Sequence, residues 1–272
     1  MSAPESADLD NAGVPATYAG YMKTLLCLIL VAGLARLAPA QAPASAKIES
    51  LVENSAAIGK IIEGWGSPID PDGDCTFDLQ DGALVITVPG GPPPHDLSAE
   101  IGSSNSPRVL HEVTGDFILQ VRVDGDFNPG EKSTQPGRTG YTGAGLVLFA
   151  DAKNYVRLER ATLQRAGGPR HNYGNFEVRL NGQLQRIGIT SDLPLEDNQP
   201  VYLQLERRGS TVLGAISHDG KKWKEGVPKE IGADWPPTLL AGVAAISTSV
   251  DVFTPFFSDI RTTNNPKSAL EK

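Results

Sequence analysis

The chain has 272 residues, enough for one large all-β domain, and carries 32 acidic against 24 basic side chains. The formal charge of −8, with its charges interspersed rather than in blocks, argues against a nucleic-acid partner and against an anionic membrane surface, since phosphate binding needs a basic face. Twenty-nine glycines and 21 prolines suit many short strands joined by turns, and exclude a helix-rich chain.

Residues 1–21 read as polar leader, a start-site extension ahead of a true start at Met22. Met22-Lys23, the apolar run Leu25–Leu34 and Ala38-Pro39-Ala40 supply the charged start, short apolar core and small-residue cleavage site of a secretory signal over residues 22–40. That run is too short to span a bilayer as an anchor. The mature chain is expected to begin near Gln41 and to be secreted or periplasmic. Cys27 falls in the signal, leaving Cys75 with no partner for an internal disulfide, and no Cys/His pair has zinc-ligand spacing.

Residues 41–60 are Ala/Ser-rich and read as a linker or short helix, followed by the domain over residues 61–262 and a disordered tail over 263–272. Within the domain, strand patterning starts at Ile61 and is broken by the acidic turn Asp70-Pro71-Asp72-Gly73-Asp74. A run Ala83–Val88 stops at Pro89-Gly90-Gly91-Pro92, and the loop Gly90–Asn105 carries His95, Asp96 and Glu100. Strands follow at Arg108–Val113 and Phe117–Val123, then a long polar loop, Asp124–Thr139. Gly145–Ala150 and Tyr155–Leu158 flank the turn Asp151-Ala152-Lys153-Asn154 as a β-hairpin. Gly167–Tyr173 reads as a loop, and Phe176–Leu180 with Gln183–Ile189 as a hairpin on Asn181-Gly182. The stretch from Tyr202 to Trp223 repeats the hairpin scheme, with turns at Arg208-Gly209 and His218-Asp219-Gly220. The last strands are Leu239–Ser247 and Val252–Ile260. Antiparallel hairpins in series with no helical run between them make an all-β sandwich the expected architecture.

Three segments, GAGLVLFADAKNYVRLERA, YLQLERRGSTVLGAISHDGKKW and AGVAAISTSVDVFTPFFSDIR, resemble in composition and order the concanavalin A-like lectin/glucanase superfamily. Within it the chain is similar to the branch named domain of unknown function 1349, as are WGSPIDPDGDC and PHDLSAE near its start, in a form typical of exported bacterial proteins. The resemblance covers residues 60–262. It implies a jelly-roll sandwich of two antiparallel sheets whose concave face binds carbohydrate in many relatives, and it brings no catalytic residues with it.

Alternation along the strands gives a site independently of that resemblance. Residues i, i+2 and i+4 of a strand share a face, which sets Tyr155, Arg157 and Glu159 opposite Val156 and Leu158. By the same rule Glu177 and Arg179 oppose Val178, while Tyr202, Gln204 and Glu206 oppose Leu203 and Leu205. Planar polar groups beside an aromatic suit a sugar. The expected ligand face is therefore Tyr155, Arg157, Glu159, Glu177, Arg179 and Gln204, with His95 and Tyr173 at its rim. The competing reading is a solvated face with cross-strand ion pairs.

No metal site or cofactor is expected. Calcium is the one candidate, at the acidic turn, although glycine stands fourth and Cys75 sixth, against the EF-hand pattern. His95, Asp96 and Glu100 could do acid–base work, but loop histidines more often cap turns. The glucanase string Glu-x-Asp-x-x-Glu is absent, as is a Gly-x-Ser-x-Gly elbow. Trp223 and Trp235 are expected to pin sheet edges. The functional expectation is non-catalytic carbohydrate binding. The alternatives are a glycoside hydrolase or lyase with another carboxylate pair, and a protein-interaction module with no small-molecule site.

Overall fold

A computed structural model describes residues 59–186, 193–197 and 199–264. The leader, the signal, the linker up to residue 58, residues 187–189 of the expected hairpin strand and the tail beyond residue 264 lie outside the described residues. Seventeen strands follow in chain order: β1 (Ser67–Ile69), β2 (Thr76–Gln80), β3 (Ala83–Thr87), β4 (Leu97–Ser98), β5 (Ser103–Ser104), β6 (Arg108–Thr114), β7 (Phe117–Asp124), β8 (Gly140–Asp151) and β9 (Asn154–Gln164). The rest are β10 (Arg170–Leu180), β11 (Gln183–Arg186), β12 (Val201–Arg208), β13 (Thr211–Ser217), β14 (Lys224–Glu225), β15 (Lys229–Glu230), β16 (Thr238–Ser247) and β17 (Phe256–Asn264).

Fifteen of these strands form two antiparallel sheets packed face to face, a jelly-roll sandwich, and β4 and β5 pair with each other. The first runs β1-β6-β16-β8-β9-β10-β11 and the second β14-β13-β12-β7-β17-β3-β2, with β15 beside β13. Val109, Leu146, Leu148, Val156, Leu158, Val178 and Val243 of the first sheet meet Leu119, Val121, Leu203, Leu205 and Phe257 of the second, all essentially removed from water. Period-two alternation produces this layer: every second residue of β9 points inward, and its neighbours point to the far side of the sheet.

Elsewhere that far side would face solvent. Here a second apolar cluster covers part of it, with Val147, Phe149, Tyr155, Leu240 and Ile246 rising from the sheet to meet Leu97. Leu97 belongs to the loop of residues 94–105, which folds across the sheet as the β4–β5 ribbon and a 3-10 turn at Ala99–Ile101. Strands β8, β9, β10 and β16 are consequently buried on both faces, which explains why β16 reads as the nearly unbroken apolar run TLLAGVAAIS.

The expected hairpins form. The Asn181-Gly182 turn has φ of +53° and +76°, the pair of left-handed residues that a two-residue hairpin demands. Some boundaries differ. Residues 170–173, expected in a loop, are strand, because Arg170–Tyr173 continue the ladder opposite Gln164–Ala161 of β9. The closing strand starts at Phe256 rather than Val252, and it extends through Thr263 and Asn264, which pair with Ile118 and Phe117 of β7. The expected tail therefore begins two residues too early. Among the described residues no helix is long and apolar enough to cross a membrane.

Candidate functional site

The hairpin β8–β9 and its neighbour β10 build the floor of a cleft on the far face of the first sheet. Register sets Glu177 opposite Arg157, Asn175 opposite Glu159 and Arg179 opposite Tyr155. Five of the residues expected from alternation, Tyr155, Arg157, Glu159, Glu177 and Arg179, thus sit side by side on one face, all buried. Tyr173, one step further along β10, lines the same cleft.

These side chains hold one another. Arg157 lies against Glu159 through Nε–Oε1 and Nη2–Oε2 contacts of 2.9 Å each, the second with hydrogen-bond geometry. The same Nη2 is 3.6 Å from Glu177, and Nη1 donates to the Leu97 carbonyl. Glu159 Oε2 also accepts from the Tyr141 hydroxyl at 2.6 Å and from Asn175 Nδ2 at 3.2 Å. Arg179 grips Glu100 of the covering loop with two bonds of 3.1 Å and donates to Glu177 at 2.7 Å. The Tyr155 hydroxyl accepts from the Ala99 amide at 2.8 Å, and its ring stacks on Phe149. Burial opposes the Arg157 charge, but Glu159 and Glu177 outweigh it and hold the guanidinium well above its ordinary range. Burial and the Glu159 charge push the Tyr141 phenol well up, so it stays a donor.

The glycines of the Gly-rich strand have a specific part here. The Tyr141 ring lies across Gly143, where an added Cβ would come within 2.7 Å of the phenol oxygen. Only a glycine leaves room for that hydroxyl to reach Glu159.

Above this floor is a cleft of about 230 Å³, bordered by Ser98, Glu100, Gln135, Arg138, Tyr141 and Tyr173. Gln135 is fixed by a 2.8 Å bond from Nε2 to Asp96, whereas Arg138 is exposed. The lining sets Asp96, Glu100 and Glu177 against Arg138, Arg157 and Arg179, three charges of each sign. Such a lining suits a neutral, hydroxyl-rich ligand better than an anion. Glu159 and Glu177 both face the same guanidinium nitrogen, Nη2 of Arg157, at 2.9 and 3.6 Å.

Two expected residues are elsewhere. Gln204 is on β12 of the other sheet, facing away from the core, where Gln120 Nε2 donates to it at 2.6 Å. The expectation assumed β12 to be a neighbour of β9 and β10; its strands pair with β7 and β13 instead. His95 is not at the cleft rim. Its backbone pairs with Ser247, and its ring turns under the acidic turn, 2.9 Å from Asp74 Oδ1. Trp65 and Trp235 are buried in the core, and Trp223 lies on the outer face of the second sheet beside Tyr202 and Arg261. Sequence reasoning missed Tyr141 and Asn175. Asn175 shares the parity of Glu177 and Arg179 and was available on that signal, whereas the place of Tyr141 depends on Gly143 two residues after it.

The sandwich is of the jelly-roll kind found in several solved proteins. It is similar to a functionally unknown protein from Saccharomyces cerevisiae at 15% identity and a TM-score of 0.56, covering 71% of this chain and 93% of that one. It is also similar to the GH43 protein BlXynB from Bacillus licheniformis (17% identity, TM-score 0.50, 69% of this chain) and to a xylan β-1,4-xylosidase from Bacillus halodurans C-125 (15%, 0.50, 70%). The match spans about a third, 34%, of each of those two chains. No model of a known protein family matches the sequence, and no curated protein does.

Proposed function

We propose that this is an exported, non-catalytic β-sandwich module that binds a neutral saccharide in the cleft over β8, β9 and β10. The observation that carries this reading is the cleft itself: convergent polar groups held in fixed positions by a buried ion-pair floor, with reachable donors and acceptors at the rim. Preorganised planar polar groups bind hydroxyl pairs without the entropic cost of ordering them. Likeness in fold to GH43 proteins and a xylosidase supports a place among sugar-handling sandwiches. The motifs from GAGLVLF to FFSDIR support the branch named domain of unknown function 1349. The segment over residues 22–40 supports export from a bacterial cell.

The floor supports binding without turnover. Glycoside hydrolysis needs one carboxyl group free to give a proton and another free to attack or to activate water. Glu159 and Glu177 are 2% and 3% exposed; Arg157, Tyr141 and Asn175 contact the oxygens of Glu159, and Arg179 donates to Oε2 of Glu177.

The test of the site uses the rim, because the floor also holds the fold. Arg138→Ala removes an exposed guanidinium that no described side chain needs. It is expected to weaken binding to a retained polysaccharide by about tenfold, near the 1.5–3 kcal/mol of a charge-assisted hydrogen bond, with Tm unchanged. Affinity electrophoresis through gels containing xylan, mixed-linkage glucan or mannan reads this out. Equal retardation of variant and parent would place the ligand off this face.

A further inference from the structure

We propose that Asp74, Cys75 and His95 form a binding site for a divalent transition metal, zinc foremost, with Asp72 at its edge. The sequence offers only an acidic turn at this place, and His95 lies twenty residues beyond Cys75. The fold closes that gap. His95 is anchored to β16 by reciprocal backbone bonds of 2.9 Å with Ser247, which aims its ring back at the turn. Nε2 then stands 2.9 Å from Asp74 Oδ1 and 3.7 Å from Asp72 Oδ2, and Cys75 Sγ is 3.5 Å from Asp74 Oδ1. The donor atoms of Asp74, Cys75 and His95 all lie within 4.8 Å of one another. Zinc with bonds of about 2.0–2.3 Å in a tetrahedron sets its ligands about 3.3–3.7 Å apart. The Cys75–Asp74 and His95–Asp72 separations fall in that range, and the His95–Asp74 contact has to open by a few tenths of an ångström.

Two further observations point to a cation. The His95 side chain is 2% exposed, and its Nε2 faces the carboxylates of both Asp74 and Asp72. A proton on Nε2 can serve Asp74 or Asp72 but bonds well to only one, whereas a metal ion would serve both and the thiol as well. Asp70 Oδ1 is also out of contact with water and without a hydrogen-bond partner, while Oδ2 accepts from the Cys75 amide at 2.9 Å. A buried carboxylate oxygen with no donor is costly unless positive charge stands near it.

The donor set decides the metal. Calcium takes six to eight oxygens and has no use for a thiol or an imidazole. A thiolate, an imidazole and one or two carboxylates suit zinc, and zinc binding would release the Cys75 proton to water. The surroundings resemble an outer shell. Asn105 Nδ2 donates to Asp72 Oδ2 at 2.6 Å and to the Pro94 carbonyl at 2.9 Å, and its Oδ1 accepts from the Asp96 amide at 3.0 Å. A metal here would tie the turn to the loop that roofs the first sheet.

The experiment is a cobalt(II) titration of the full chain, produced without a metal-affinity tag and stripped with chelator. The expected result is an end point at one equivalent, with a thiolate charge-transfer band in the near ultraviolet and visible bands of tetrahedral intensity. Zinc should displace the cobalt, and the same concentration of calcium should not. Cys75→Ser should abolish the charge-transfer band and Cys27→Ser should leave it, which assigns the thiolate even if one variant folds poorly. His95→Gln should weaken zinc binding by more than about 100-fold, beyond the 10–100-fold typical of losing an outer-shell partner. A cobalt spectrum without a thiolate band, displacement by calcium, or zinc affinity untouched by His95→Gln in folded protein would each overturn the proposal.

Discussion

Replacing Arg157 by alanine is expected to cost about 3–5 kcal/mol of folding stability, the range for removing one partner of a buried ion pair. Arg157 is 3% exposed and is the cation shared by Glu159 and Glu177, with Asp96 3.8 Å from its Nη1. Without it these carboxylates remain in a space that water barely reaches, facing each other with no positive charge between them. Lys cannot substitute, since a single ammonium does not span Glu159, Glu177 and the Leu97 carbonyl together. For a domain of this size the loss corresponds to a fall in Tm of roughly 6–20 °C. Urea unfolding of Arg157→Ala measures it, and adding Glu159→Gln and Glu177→Gln should recover part of the loss. A cost below about 1 kcal/mol would mean that the floor is hydrated and that the cleft is not preorganised. A floor residue cannot report on a ligand, because its removal changes the fold first.

Gly145→Ala carries the second large expectation, a loss of about 3 kcal/mol, at the upper end of what overpacking costs. Gly145 is paired with Glu159 at the centre of the first sheet. A Cβ there would strike the Leu158 carbonyl oxygen, and it would come within 2.7 Å of the Glu159 Cα and 2.8 Å of a Leu203 methyl. Two of these atoms are backbone, so the strand itself has to move, and Glu159 moves with it. Gly168, in the turn between β9 and β10, is the control: its nearest neighbour would be 3.4 Å away, in ordinary contact. Gly168→Ala should change stability by less than about 0.5 kcal/mol. Equal effects from the two substitutions, measured by urea unfolding, would remove the packing argument for the Gly-rich strand.

The architecture was readable because its signals are local. Asn181-Gly182, Asp151–Asn154 and Arg208-Gly209 fix hairpins by turn chemistry, and alternation in β9, β10 and β12 assigns faces without knowing the partners. Face assignment does not say which strands are neighbours, and that is where Gln204 went astray. Its polar parity is real, but it faces outward from the opposite sheet. Alternation also did not reveal that Arg157 and Glu159 are covered, because their cover comes from a loop some sixty residues earlier in the chain. His95 failed for the same reason in reverse. Read beside Asp96 and Glu100 it suggested a rim, whereas backbone pairing with Ser247 turns it toward Asp72 and Asp74. Contacts made over long sequence separations decided each of these positions, and a single sequence does not display them.

The saccharide cleft is tested most directly by calorimetric titration of the chain with a panel of neutral oligosaccharides, followed by chromatography of the recovered sugar. The expected result is heat of binding with at least one member of the panel, saturation at one site, weaker binding in Arg138→Ala, and sugar recovered intact. Cleaved sugar, or no heat with any member of the panel, would contradict it.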